Sequence, residues 1–197
     1  MTRTLIFASG NPHKLSEIRY AAAPEFEILS PSEAGYHLYE PNETENSLEG
    51  NALLKAHAFH ASTGENCFAE DTGLEVEALD GAPGIFTARY AGPENNAIKN
   101  IQKLLRELQF AEHRKARFRA VIALIFNGTP YVFEGTVQGS IAEVPRGSGG
   151  FGYDPVFIPD GYENTFAELP PAIKNTLSHR AQAVHKMLEF LKAQRHR

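Results

Sequence analysis

Apolar positions along the chain change their period several times, and each change predicts an element. Thr4–Ala8 (TLIFA) is a compact apolar run with the length of a buried strand. It passes into Ser9-Gly10-Asn11-Pro12, after which Leu15 and Ile18 recur at helical spacing. Asn11 is placed to cap that helix and Pro12 to open it. Phe26–Leu29 reads as a second strand. From Ser47 onward, Leu48, Ala52, Ala56 and Phe59 fall on one helical stripe. Gly50 in the first turns of that helix costs about 1 kcal/mol against alanine. Cys67–Ala69 is apolar, and Leu74, Val76 and Ala78 alternate with Glu75 and Glu77, predicting a half-exposed strand. Gly73 reads as a turn ending the first of these runs, and Gly81-Ala82-Pro83-Gly84 breaks the second. Glu94–Leu108 carries Ile98, Ile101, Leu104, Leu105 and Leu108 at helical spacing. Arg117–Phe126 and Tyr131–Val137 flank Asn127-Gly128-Thr129-Pro130 as a hairpin. A last helix runs from Ser178 to Leu191, with Ala181, Val184, Met187 and Leu191 facing inward. Helices mixed with strands and one hairpin predict an α/β fold around a mixed sheet.

Composition narrows the class. The 197 residues are 42% hydrophobic and 22% charged with a formal charge of -5, which excludes disorder and coiled coil. One domain covering residues 1–197 is expected, with one substantial core or, as a variant, two small lobes. No window reaches the roughly 18 apolar residues of a membrane span, and no signal-peptide pattern opens the chain. A lone Cys67 rules out an intrachain disulfide framework and fits a cytoplasmic protein. The pI of about 5.9 argues against general nucleic-acid binding. Glycine is locally anomalous: four stand at 147, 149, 150 and 152, within RGSGGFGYDP.

Four short segments carry candidate chemistry. Ser9, Gly10, Asn11 and Lys14 sit where a strand delivers the chain to a helix N-terminus, whose free N–H groups and dipole attract phosphate. An ordinary strand-to-helix connection, its lysine solvated or paired with Glu17, reads the same residues. It is no Walker loop. Glu70-Asp71-Thr72-Gly73 places two adjacent carboxylates at a sheet end, where they repel unless a base, water or metal offsets them. A lone D-T-G lacks the second aspartate an aspartic protease needs. The acids Glu40, Glu43, Glu45 and Glu49 suit a solvated helix start. Residues 147–152 match G-x-G-x-x-G by letter, but the proline after Asp154 denies the helix a dinucleotide fold requires. What remains is a flexible mount for Phe151, Gly152, Tyr153 and Asp154. Finally, Ser178 caps a helix whose first turn holds His179 and Arg180, with Lys174 four residues earlier. Two cations at a positive dipole end imply an anion nearby. His13, His57, His60, His113, His185 and His196 have no metal-ligand spacing.

Taken in order, FASGNPHKLSEI, FAEDTGLEVEALDGAPGIFTARYAG, GFGYDPVF and KNTLSHRAQA resemble the signature of the inosine triphosphate pyrophosphatase family. The resemblance covers residues 4 to about 190. It implies an elongated α/β fold with a central mixed sheet, two lobes and a cleft between them. It also implies a cytoplasmic homodimer and Mg²⁺-dependent cleavage of deaminated purine nucleoside triphosphates (ITP, dITP, XTP) to monophosphate and pyrophosphate, with no nucleic-acid or membrane partner. By position, Ser9, Gly10, Asn11 and Lys14 would bind triphosphate, and Asp71 would be proton acceptor and Mg²⁺ ligand with Glu43 beside it. Thr72, Phe151, Gly152, Tyr153, Asp154, Lys174, His179 and Arg180 would contact the nucleotide. Three positions depart from the family pattern: Glu70 replaces an aspartate, Glu45 a glycine and Gly50 a glutamate.

Overall fold

The computed structural model describes residues 3–194, so His196 lies outside the described residues. Its elements run β1 (Arg3–Phe7), α1 (Pro12–Ala22), β2 (Phe26–Leu29), α2 (Leu48–Thr63), β3 (Cys67–Val76), β4 (Pro83–Gly84), α3 (Ala97–Glu107), β5 (Lys115–Phe126), β6 (Thr129–Ile141), β7 (Phe157–Pro159), α4 (Pro171–Leu177) and α5 (His179–Ala193). The strands are ordered β2-β1-β3-β5-β6-β7, with β4 on β3. β1 runs parallel to β2 and β3, whereas β3–β4 and β6–β7 are antiparallel, so the sheet is mixed as the pattern predicted.

Two compact units share the chain. The first takes in Met1–Asp71, Ala120–Gly135 and Ser178–Arg197; the second takes in Thr72–Arg119 and Thr136–Leu177. Each has its own core, where composition alone pointed first to one. In the first unit α1 and α5 pack on β1 and β3 through Phe7, Ile18, Phe68, Val184 and Met187. The Phe7 and Phe68 rings stack with centroids 5.0 Å apart. α2 buries Leu48, Ala52, Ala56 and Phe59, the expected stripe. In the second unit Leu74, Leu104, Phe118, Val156, Phe157 and Phe166 form the core, with Phe118 and Phe157 centroids 4.7 Å apart.

Side chains start the helices where the sequence indicated. Asn11 Oδ1 accepts from the His13 and Lys14 N–H groups at 3.0 and 3.1 Å. Ser47 Oγ accepts from Gly50 N, and Ser178 Oγ from Ala181 N. Such caps are worth about 1 kcal/mol each. Gly50, costly by propensity, has a packing reason: a Cβ there would lie 2.7 Å from the Glu45 Cβ.

The structure differs from the pattern in three places. β3 does not stop at Gly73 but runs unbroken to Val76, because the mixed sheet pairs it on both sides and tolerates the glycine. The hairpin turn is shorter than expected, with only Asn127 and Gly128 between the strands, both at positive φ as a two-residue turn requires. α4, seven residues opened by a proline, was too short to leave a periodic signature.

Cys67 has no exposed surface, and burial pushes its thiol up to about 12. It is the chain's one cysteine, so a thiol reagent at pH 8 should leave the native protein unlabelled and react one-to-one after denaturation in urea, as read by mass spectrometry.

Candidate active site

Strand geometry decides how the two adjacent acids are used. Successive side chains of a strand point to opposite faces. Phe68 of β3 therefore joins the α1–α5 face, whereas Cys67 faces α2 and directs its Sγ toward the Ala56 carbonyl. Glu70, two residues beyond Phe68, shares its side, and Asp71, four beyond Cys67, shares that of Cys67. The repulsion anticipated for the pair is answered by separate cations on the two faces.

Glu70 is the more deeply placed, with no exposed side-chain surface. Its Oε2 lies 2.7 Å from Lys14 Nζ of α1, and its Oε1 accepts from Arg180 Nη2 of α5 at 3.1 Å. Arg180, 2% exposed, also pairs through Nη1 with Glu17. The anion that the cationic first turn of α5 demanded is thus supplied by the protein. Glu17, considered from sequence as a partner of Lys14, bonds the Arg180 guanidinium through Oε2. His179, beside Arg180, is 4% exposed.

Asp71 and Glu43 converge on the other face. Lys55 Nζ donates to Asp71 Oδ1 and to Glu43 Oε1, both at 3.0 Å. Burial raises the Asp71 carboxyl above the ordinary carboxylate value; Lys55 and Lys14 oppose that rise and Glu43 adds to it. Burial acts to lower Lys55, but the Asp71 and Glu43 charges outweigh it and hold the ammonium above the ordinary lysine value. The Lys55 ammonium occupies the position between the two carboxylates, and carboxylates are also the ligand type of a hard divalent ion, which takes one or two of them and completes its shell with water and phosphate. No cage of three or more His, Cys, Asp or Glu side chains exists among the described residues.

The loop before α1 brings backbone donors to the same unit. Asn11 N donates to Ser9 Oγ at 3.2 Å, and Gly10 N donates to the Glu40 carboxylate at 3.0 Å. A carboxylate already uses one N–H of the loop, which is the electrostatic behaviour expected of an anion-binding turn.

The second unit holds the other candidates. Asp154, 4% exposed, receives Lys174 Nζ at 2.5 Å and Phe151 N at 2.8 Å on the same Oδ2. The Lys174 ammonium lies 5.2 Å from the centroid of the half-buried Phe151 ring. Tyr153 is buried, and its hydroxyl donates to the Thr87 carbonyl, so its ring belongs to the core. Gly152 follows Phe151 at positive φ, and Thr72 is half-buried in β3. The glycine loop is tight rather than a flexible mount. Gly150 has φ 70°, and a Cβ there would fall 1.9 Å from Asp154 Oδ2. Only a residue without a side chain lets Asp154 reach back to the loop.

Pattern reading missed Lys55 and the pairing of Glu17. Lys55 had a signal: it lies seven residues after Leu48 and three after Ala52, on the edge of an apolar stripe where a charge needs a partner.

The profile of the Ham1 family matches residues 5–190. A "dITP/XTP pyrophosphatase" of Porphyromonas gingivalis is 54% identical, with 95% of this chain and 96% of that protein aligned. One of the same name from Flavobacterium johnsoniae is 45% identical over 96% and 98%. A HAM1 protein from Coxiella burnetii superposes with a TM-score of 0.87 at 36% identity, covering 98% of this chain and all of the other. The Staphylococcus aureus Ham1 protein gives the same values. Its relatives place the chain among the hydrolases, as a nucleoside triphosphate pyrophosphatase. The chain belongs to the Ham1 family.

Lys55→Met should cost about 2 kcal/mol in urea unfolding at pH 7, below the 3–5 kcal/mol of a fully buried pair because Glu43 is partly solvated. Asp71 binds its proton more tightly folded than unfolded, and more so without Lys55. The deficit should therefore shrink as pH falls through the raised Asp71 value, and a deficit that grows toward acid would contradict the pairing.

Proposed function

We propose that this chain hydrolyses non-standard purine nucleoside triphosphates of the dITP, ITP and XTP kind to the monophosphate and pyrophosphate. The observation that carries the reading is the gathering of Glu43 and Asp71 about the Lys55 ammonium, with Asp71 also in the field of Lys14 at the start of α1. The names of the relatives at 54% and 45% identity support the substrate class.

Water attacks the α-phosphorus, the α–β anhydride bond breaks, and pyrophosphate leaves. Asp71 is the group to align that water and take its proton, since a carboxyl raised by burial is a stronger base than an ordinary one. Lys14 and the Ser9-Gly10-Asn11 loop meet the phosphates, the Gly10 N–H as the backbone donor, where fixed donors stabilise charge developing on the leaving group. Glu40 must then give up the Gly10 N–H. Mg²⁺, held by Asp71 and Glu43, would supply charge neutralisation and Lewis acidity at the phosphates. Lys55, between these acids, keeps their mutual repulsion in check.

Base selection is assigned to Phe151, Asp154, Lys174 and His179, with Thr72 and Gly152 as nucleotide contacts. Phe151 offers a ring face for stacking, and the Asp154–Lys174 pair offers an acceptor and a donor of fixed position. Inosine and xanthosine present a 6-keto acceptor where adenosine has an amino donor, so adenine would leave a buried donor unpaired. Arg180, engaged by Glu17 and Glu70, serves through that network. A cytoplasmic homodimer belongs to the same reading.

Nucleoside triphosphates assayed for pyrophosphate with Mg²⁺ should show ITP, dITP and XTP favoured over ATP by about a hundredfold or more in kcat/KM. Chelation of the metal should abolish turnover. Equal cleavage of ATP, or release of orthophosphate in place of pyrophosphate, would contradict the proposal.

A further inference from the structure

We infer that Glu70 is a positioning residue that holds Lys14 in place for the polyphosphate and is itself locked by Arg180. The inference rests on the reading above, in which Lys14 meets the phosphates. Glu70 is adjacent to Asp71 in sequence, but the pleat of β3 turns it to the opposite face. There its two oxygens are divided between cations from two helices, Lys14 at 2.7 Å and Arg180 at 3.1 Å.

Lys14 needs such a holder. Its ammonium is on a flexible stem in the first turn of α1, where the helix dipole is unfavourable to a cation. A carboxylate with no exposed surface gives it one location instead of many. Glu70 cannot simply follow the lysine, because Arg180 holds its other oxygen and is held in turn by Glu17 of α1. The four formal charges of Glu17, Glu70, Lys14 and Arg180 cancel. An ammonium has three N–H donors, so Lys14 can keep its place on Glu70 while another donor meets a phosphate, and Arg180 holds the second Glu70 oxygen throughout. One buried acid with two cations therefore allows one of them to be shared with a substrate.

A double-mutant cycle tests this, read as affinity for inorganic triphosphate by calorimetry and as kcat and KM for ITP. Lys14→Met should weaken triphosphate binding at least about tenfold in the wild-type background, and less than about threefold in Glu70→Gln, which keeps the shape and removes the charge. Glu70→Asp, with charge but shorter reach, should fall between. In turnover, Glu70→Gln should lower kcat more than it raises KM, with loss of folded protein excluded by thermal melts. The same Lys14→Met factor in both backgrounds would show that the residues act independently and overturn the inference. A larger factor in Glu70→Gln would make Glu70 a competitor for Lys14 and overturn it too, as would no Lys14→Met effect in either background. If Glu70→Gln does not fold, the cycle is closed with Glu70→Asp, and an undiminished factor there is again fatal. Triphosphate affinity requires no catalysis. A wild-type protein that binds triphosphate but cleaves no nucleotide would sink the proposed function and leave the cycle to decide on Glu70.

Discussion

The pleat of one strand governs the chemistry of the first unit. Because β3 continues past Ala69, its two acids cannot face the same way. Glu70 enters a buried network with α1 and α5, and Asp71 meets Lys55 of α2 and Glu43 of the preceding loop. Had the strand ended in a turn at Gly73, both carboxylates would have been free to share one side, and each would have hindered the ionisation of the other. The alternation gives each acid its own bonded cations, Lys14 and Arg180 for Glu70 and Lys55 for Asp71, and on the proposed reading one acid holds while the other reacts.

Much of this was legible in the residues. The α1 cap at Asn11, the α2 stripe, the Asn127-Gly128 hairpin and the Ser178 cap follow from local rules and appear where those rules put them. The candidate groups were visible as charges in awkward places, such as lysine and arginine in first helical turns. What local rules could not supply was the identity of the compensating partner. Glu70 and Arg180 are 110 residues apart, and no periodicity connects them. Lys55 stands on the edge of the α2 apolar stripe, and its partners Glu43 and Asp71 lie 12 and 16 residues away, beyond the reach of helical spacing. The strand through Gly73 escaped for a related reason, since sheet neighbours on both sides override the weak preference of a glycine.

The glycine cluster has also changed meaning. By letter it imitated a dinucleotide loop, and by composition it suggested flexibility. Its dimensions argue for closeness instead: at Gly150 the Asp154 carboxylate occupies the volume a side chain would need. That carboxylate collects the Phe151 N–H and the Lys174 ammonium. Both units thus build their candidate groups on the same physical device, a buried acid satisfied by a lysine.

The division of labour between the two acids is the centre of the account, and Asp71→Asn addresses it most directly. Pre-steady-state mixing of that variant with ITP and Mg²⁺ should show nucleotide binding within a few-fold of wild type while pyrophosphate formation falls by about a thousandfold, the scale on which a lost general base is felt. Pyrophosphate formation at a rate near that of the unaltered protein would contradict the assignment of Asp71, and with it the separation of roles along β3.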